Sequence, residues 1–184
     1  MPVVITALVF VGALCLLNLV LSVGIIKRLR DQAEILNRNG NSGRAATLGM
    51  NEEVGAFSTI TEDGELVDHE SLYQGDTLVA FFSPTCGPCR EKLPKFVEFA
   101  AAFPGGREKV LTTVVGNAAD AADMVERLRP VARVVREDSN EGAVSTAFAL
   151  QGFPAILVVS PSNEHGRPII TADNLDHELP VPAP

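Results

Sequence analysis

The chain has 184 residues, 46% of them hydrophobic and 21% charged, with a formal net charge of −8. That length allows one ordinary domain plus an appendage. Residues 1–44 carry five basic and two acidic side chains; the remainder carries ten basic and twenty-one acidic, a net of −11 that excludes nucleic-acid phosphates as a partner of that part.

Val3 to Ile26 is an uncharged apolar run long enough to cross a bilayer as a helix. No Lys or Arg precedes it and Lys27-Arg28-Leu29-Arg30 follows, so it reads as a retained anchor over 1–27 rather than a cleaved signal peptide. Gly12-Ala13-Leu14-Cys15 departs from a lipoprotein box at Leu14, which leaves Cys15 as a buried thiol of the anchor. The basic cuff either meets anionic headgroups or is a solvated stop. Residues 28–49 form a juxtamembrane basic segment and flexible linker, since Asn37 to Gly43 offers no apolar face to bury. The folded domain is expected over 50–172, and the proline-rich tail 173–184 has too little apolar content to pack.

Within the domain, Phe57 to Ile60 and Glu65 to Val67 flank Glu62-Asp63-Gly64, a hairpin signal. Ser71 to Asp76 makes a turn into an apolar β-like run, Leu78 to Phe82, and Glu91 to Phe103 reads as a helix. Further strands are expected at Val110 to Val115, Val131 to Val135, Ile156 to Val159 and, at an edge, Gly166 to Thr171 after the turn 163–166. Helices fall at Ala119 to Leu128 and Glu141 to Leu150. Strands alternating with helices give an α/β sandwich.

The chemistry lies where the run 78–82 breaks at Ser83-Pro84 and Cys86-Gly87-Pro88-Cys89 opens the helix. A strand delivering a Cys-x-x-Cys pair to a helix N-terminus is a redox arrangement. The positive end of the helix favours a thiolate, so Cys86 is the expected nucleophile and Cys89 the thiol that resolves a mixed disulfide. Pro88 limits the loop's freedom and holds the sulfurs together. A structural zinc site needs two more ligands, and only the scattered Cys15, His69, His165 and His177 remain. A purely structural disulfide would close too short a loop to constrain the unfolded chain.

Cys86-Gly87-Pro88-Cys89 is the active-site tetrapeptide typical of thioredoxin, and Pro94 lies at the spacing of the thioredoxin-fold helix kink. Gln151-Gly152-Phe153-Pro154-Ala155, ahead of an apolar strand, resembles the cis-proline loop of that fold. Over residues 50–162, and with its anchor, the chain resembles the TlpA/ResA group of membrane-tethered thiol-disulfide oxidoreductases. Ser83-Pro84-Thr85-Cys86 is especially similar to the accessory proteins of methylamine dehydrogenase maturation (the MauD family). The resemblance implies a thioredoxin-like sandwich with an N-terminal β-hairpin behind one transmembrane helix, and a redox-active disulfide Cys86–Cys89 as the only cofactor. It also implies a site motif of Pro84, Thr85, Gly87 and Pro88, and a cis Pro154 whose predecessor Phe153 pairs with a substrate strand. The implied partners are a protein disulfide substrate and a membrane thiol donor.

The chain departs from the family where thioredoxin has a buried acid (Ala80 here), where the TlpA/ResA pattern has Glu (Lys92, with Glu91 one residue earlier), and where an aromatic residue precedes the first cysteine (Thr85). The competing functions are a thiol peroxidase, with Ser83 three residues before a peroxidatic Cys86, and a copper metallochaperone. Location is contested. The positive-inside rule puts the domain in the cytoplasm, because Lys27, Arg28 and Arg30 all follow the apolar run. The resemblance puts it outside the cytoplasmic membrane, which is the expectation adopted.

Overall fold

The computed structural model describes residues 5, 12, 46–162 and 167–173. Apart from residues 5 and 12, the expected anchor lies outside the described residues, as do Cys15, the basic cuff, the Asn37 to Gly43 linker, the turn 163–166 and the tail beyond Asp173. Among the described residues no helix is long and apolar enough to cross a membrane. The chain divides into two compact units, Met1–Arg44 and Ala45–Pro184; every element below belongs to the second.

Ser58–Ile60 (β1) and Leu66–Asp68 (β2) form the expected antiparallel hairpin, Thr59 opposite Val67. Gly64 in its turn has φ +79, a conformation that glycine alone takes without cost. In place of a plain turn, His69–Tyr73 is a 3₁₀ helix, capped where Asp68 Oδ1 accepts from Ser71 N at 3.0 Å. There follow Thr77–Phe82 (β3), Gly87–Ala102 (α1), Val110–Val115 (β4), Ala118–Leu128 (α2), Arg133–Glu137 (β5), Ala143–Ala147 (α3), Ala155–Pro161 (β6) and Pro168–Ala172 (β7). The five strands from β3 onward form one sheet in the order β5-β4-β3-β6-β7. Its β3, β4 and β5 run parallel, and β6 and β7 are antiparallel to their neighbours.

β3 is the middle strand and is buried on both faces, which is why it reads as a continuous apolar run. Its side chains divide by alternation. Leu78, Ala80 and Phe82 join Cys89, Leu93, Phe96 and the buried stripe of α2. Val79 and Phe81 join Phe57, Val67, Leu72 and Phe148 on the other face. Rings meet edge-to-face in both layers, Phe82–Phe96 at 5.0 Å and Phe81–Phe148 at 5.3 Å.

Several boundaries differ from the sequence reading, four of them for a reason visible in the structure. α1 starts at Gly87 instead of Glu91, because Pro88 lacks only an amide that a first turn leaves unpaired and Cys86 serves as the cap. β5 starts two residues later, since Val131 N and Ala132 N still bond Leu128 O at 3.0 and 2.9 Å and finish the turn after α2. The charged Arg136 and Glu137 then fall inside the strand, Arg136 paired with Glu62 and Asp138. α3 is a single short stretch, closed by Ala149 at φ +48 and opened by the Glu137 carboxylate, which accepts from Val144 N (2.7 Å) and Ser145 N (3.1 Å). Residues 46–49 pack against the domain instead of extending the linker: Leu48 N donates to Phe148 O at 3.0 Å and Gln151 N to Ala46 O at 2.7 Å.

Chain also lies along both outer strands. Asn51 N bonds Ile170 O (2.8 Å), Val54 N bonds Pro168 O (2.9 Å) and Ile170 N bonds Glu52 O (3.2 Å) beside β7. Beside β5, Glu62 N bonds Val134 O at 2.8 Å.

Candidate active site

β3 ends at Phe82, and the turn Ser83 to Thr85 is closed by a bond from Cys86 N to Ser83 O at 3.1 Å. This turn sets Cys86 as the N-cap of α1. Its Sγ accepts from Cys89 N at 3.4 Å, the place where a Ser or Asp oxygen caps an ordinary helix. Gly87 and Pro88 fill the first two helical positions, and Pro94 sits inside α1, where it removes one more amide from the ladder. Cys89 lies one turn in, fully buried, with Ser83 N donating to its Sγ at 3.5 Å. Both cysteines are free thiols, Cys86 half-buried and Cys89 buried.

The two sulfurs have opposite acidities. The Cys86 thiol is lowered from 9.0 to about 6. The largest cause is the hydrogen bond from the Cys89 side chain, then the Cys89 amide and the charges of Arg90 and Lys92, all working against partial burial. Cys89 is pushed up, because it donates that hydrogen bond to Cys86 and because it is buried; the Ser83 amide offsets only part of this. One sulfur is thus a half-exposed thiolate near neutral pH and the other a protonated reserve.

The loop before β6 completes the site. Phe153–Pro154 is a cis peptide bond, as the sequence reading expected, and Cys86 Sγ lies 3.8 Å from Phe153 O, to which its thiol form donates. Phe153 packs against both core layers while Pro154 is buried. All the sequence-expected residues therefore gather at one place: Pro84, Thr85, Cys86, Gly87, Pro88, Cys89, Phe153 and Pro154. Ser83 spends its hydroxyl on Thr85 Oγ1 at 3.2 Å. Ala80 packs in the same layer as Cys89, and Glu91 is exposed. Thr112, opposite Ala80 on β4, keeps a buried hydroxyl with no hydrogen-bond partner among the described residues.

Three features were missed. Arg90 adds charge beside Cys86 and ties back to Pro84 O at 3.3 Å. The Ser83 amide serves Cys89. A groove of about 600 Å³ opens beside Thr85 and Phe153 and is lined also by Asn117, Asp120, Asp138 and Glu141. Asn117 caps α2 and Asp120 lies in its first turn, after β4, while Asp138 and Glu141 belong to the connection after β5. The signal that could have found them is general: in a parallel sheet, sites form beyond the C-terminal ends of the strands.

No protein-family model matches this sequence, and no curated protein does. Solved structures do match. The thioredoxin domain of a thiol-disulfide oxidoreductase from Bacteroides vulgatus is similar at 22% identity with a TM-score of 0.51, the match covering 70% of this chain and 90% of that one. A thiol:disulfide interchange protein from a Bacteroides species is similar at 21% identity with a TM-score of 0.50, covering 70% of this chain and 82% of that one. With the central strand, the helix that follows it and the cis-proline loop arranged as described, this chain has the thioredoxin fold.

Proposed function

We propose that this protein is a membrane-tethered thiol-disulfide oxidoreductase that reduces specific protein disulfides through Cys86 and Cys89. The observation that carries the reading is the acidity split between a half-exposed Cys86 at a helix N-terminus and a buried Cys89 one turn behind it. The Cys86 thiolate attacks one sulfur of a partner disulfide; an S–S bond forms, the partner's S–S bond breaks, and the partner's other sulfur leaves as a thiolate that takes up a proton. Cys89 loses its proton and attacks Cys86 Sγ. The Cys86–Cys89 disulfide forms and the partner leaves as a dithiol, two electrons richer. The redox-active disulfide is the only cofactor this needs. A dithiol donor in the membrane restores the reduced pair.

The main chain at Phe153, beside Cys86, is suited to pair with an extended substrate segment. The tether is supported by the apolar run Val3 to Ile26, and the MauD-like assignment by Ser83-Pro84-Thr85-Cys86. The domain acts outside the cytoplasm, where a tethered disulfide reductase has substrates that soluble cytosolic reductants do not reach. The test is trapping. Cys89→Ser accumulates mixed disulfides with partner proteins, and Cys86→Ser traps none. Equal trapping by both variants would invert the roles, and absence of thiol-disulfide exchange in the wild type would end the proposal.

A further inference from the structure

We infer that the groove beside Cys86 selects the partner: it receives a cationic, Lys- or Arg-bearing segment next to the partner's reactive cysteine. This rests on the oxidoreductase reading above and specifies its substrate class. The groove is continuous with the redox site, since Thr85 and Phe153 line it and these residues flank the half-exposed Cys86. At about 600 Å³ it is of a size that takes a ligand. A chain engaged in a mixed disulfide at Cys86 and extended along Phe153 has this groove as its continuation.

The charge decides the occupant. Asp120, Asp138 and Glu141 line the groove, and no lysine or arginine does. Asp138 gives one oxygen to Arg136 at 2.6 Å, and Asp120 accepts from Asn117 Nδ2 at 2.6 Å, a neutral donor that leaves its charge in place. Asp120 and Glu141 form no ion pair with any Lys or Arg among the described residues. The other residues lining the groove are uncharged, and among them the hydroxyl of Ser83 is held to that of Thr85. An anionic partner segment would meet uncompensated like charge, while a cationic one completes pairs the fold leaves open.

The test uses two disulfide-linked peptides that differ only in Lys or Glu at the two positions after the cysteine, plus a small neutral disulfide. Exchange by the reduced full-length protein is read at low ionic strength. The expected result is a preference for the Lys peptide of about tenfold, shrinking as salt screens it. Each peptide rate is normalised to the same protein's rate with the neutral disulfide, so a general change in thiol reactivity cancels. Asp120→Asn/Asp138→Asn/Glu141→Gln is expected to reduce the preference to about twofold or less. Glu70→Gln/Asp123→Asn/Glu126→Gln removes the same charge from exposed positions outside the groove and is expected to keep it. Equal wild-type rates with both peptides would overturn the inference. So would a preference that survives the groove substitutions, or one lost equally in the control. Failure to reduce even the neutral disulfide would overturn the oxidoreductase reading itself, a separate outcome.

Discussion

The reactivity of Cys86 depends on its partner sulfur, and removing that sulfur gives a quantitative test. With its thiol at about 6, Cys86 is about nine-tenths thiolate at pH 7. Its largest support is the Cys89 side chain, while the Cys89 amide, Arg90 and Lys92 add to it. Cys89→Ala deletes the S–H donor and leaves the amide and both cations in place. A hydrogen bond to a charged group contributes about 1.5–3 kcal/mol, and the lower end applies to a sulfur this exposed to solvent. At about 1.36 kcal/mol per pH unit, the midpoint climbs by about one, to about 7. At pH 7 the thiolate population then drops to about half, and the alkylation rate falls by slightly less than twofold. The assay is iodoacetamide labelling of Cys86 from pH 4.5 to 9, with Cys15 replaced by Ser in both proteins. For an acid whose folded value is depressed, the stabilisation is present at high pH and lost as pH falls through the folded value. The wild-type rate should therefore rise through a midpoint around pH 6 and level off above about pH 7. A midpoint unchanged in Cys89→Ala would mean that the helix amide and the cations activate Cys86 alone. A wild-type midpoint near 9 would refute the reasoning altogether.

Phe96→Ala removes a fully buried ring that meets Phe82 edge-to-face; it is expected to cost about 3–5 kcal/mol in urea unfolding, and a loss below about 1 kcal/mol would place the core elsewhere. Gly116→Ala would bring a Cβ to 2.8 Å from Pro84 Cγ, so the turn before Cys86 must shift, and disulfide exchange is expected to fall several-fold more than simple alkylation of the same thiol. In a variant lacking Cys15, Cys86 and Cys89, a single Glu70→Cys on the exposed surface is expected to react with an impermeant maleimide on intact cells; labelling only after the membrane is opened would put the domain inside.

The redox turn was legible because its chemistry is local: two cysteines, the proline between them and the strand before them stand within a dozen residues of one another. The buried strands β3 and β4 were legible for a similar reason, as unbroken apolar or β-branched runs. What failed was local evidence that tertiary structure overrules. Arg136 and Glu137 look like a loop, yet one pairs with Glu62 in the turn of the β1–β2 hairpin and the other caps α3 from an edge strand. Glu141 to Leu150 looks like a helix of ordinary length, yet its first residues are spent on the turn beside the groove. The groove was invisible for the same reason, since its acids are separated in sequence and meet only where parallel strands end together.

If the protein reduces protein disulfides as proposed, the coverage along its outer strands has a consequence for its encounter with those substrates. A disulfide-exchange protein works on extended, partly unfolded chains, which seek any unpaired strand edge as a template for intermolecular β-sheet. Here the edge beside β7 is taken by Asn51 to Val54 and begins with Pro168, and β5 carries arginine and glutamate with Glu62 bonded to Val134. On the function proposed above, covered margins leave the main chain at Phe153, beside Cys86, as the place for extended backbone to pair. Loosening residues 51–54 would offer client chains a second docking edge with no chemistry behind it, and co-aggregation with the client would be the result.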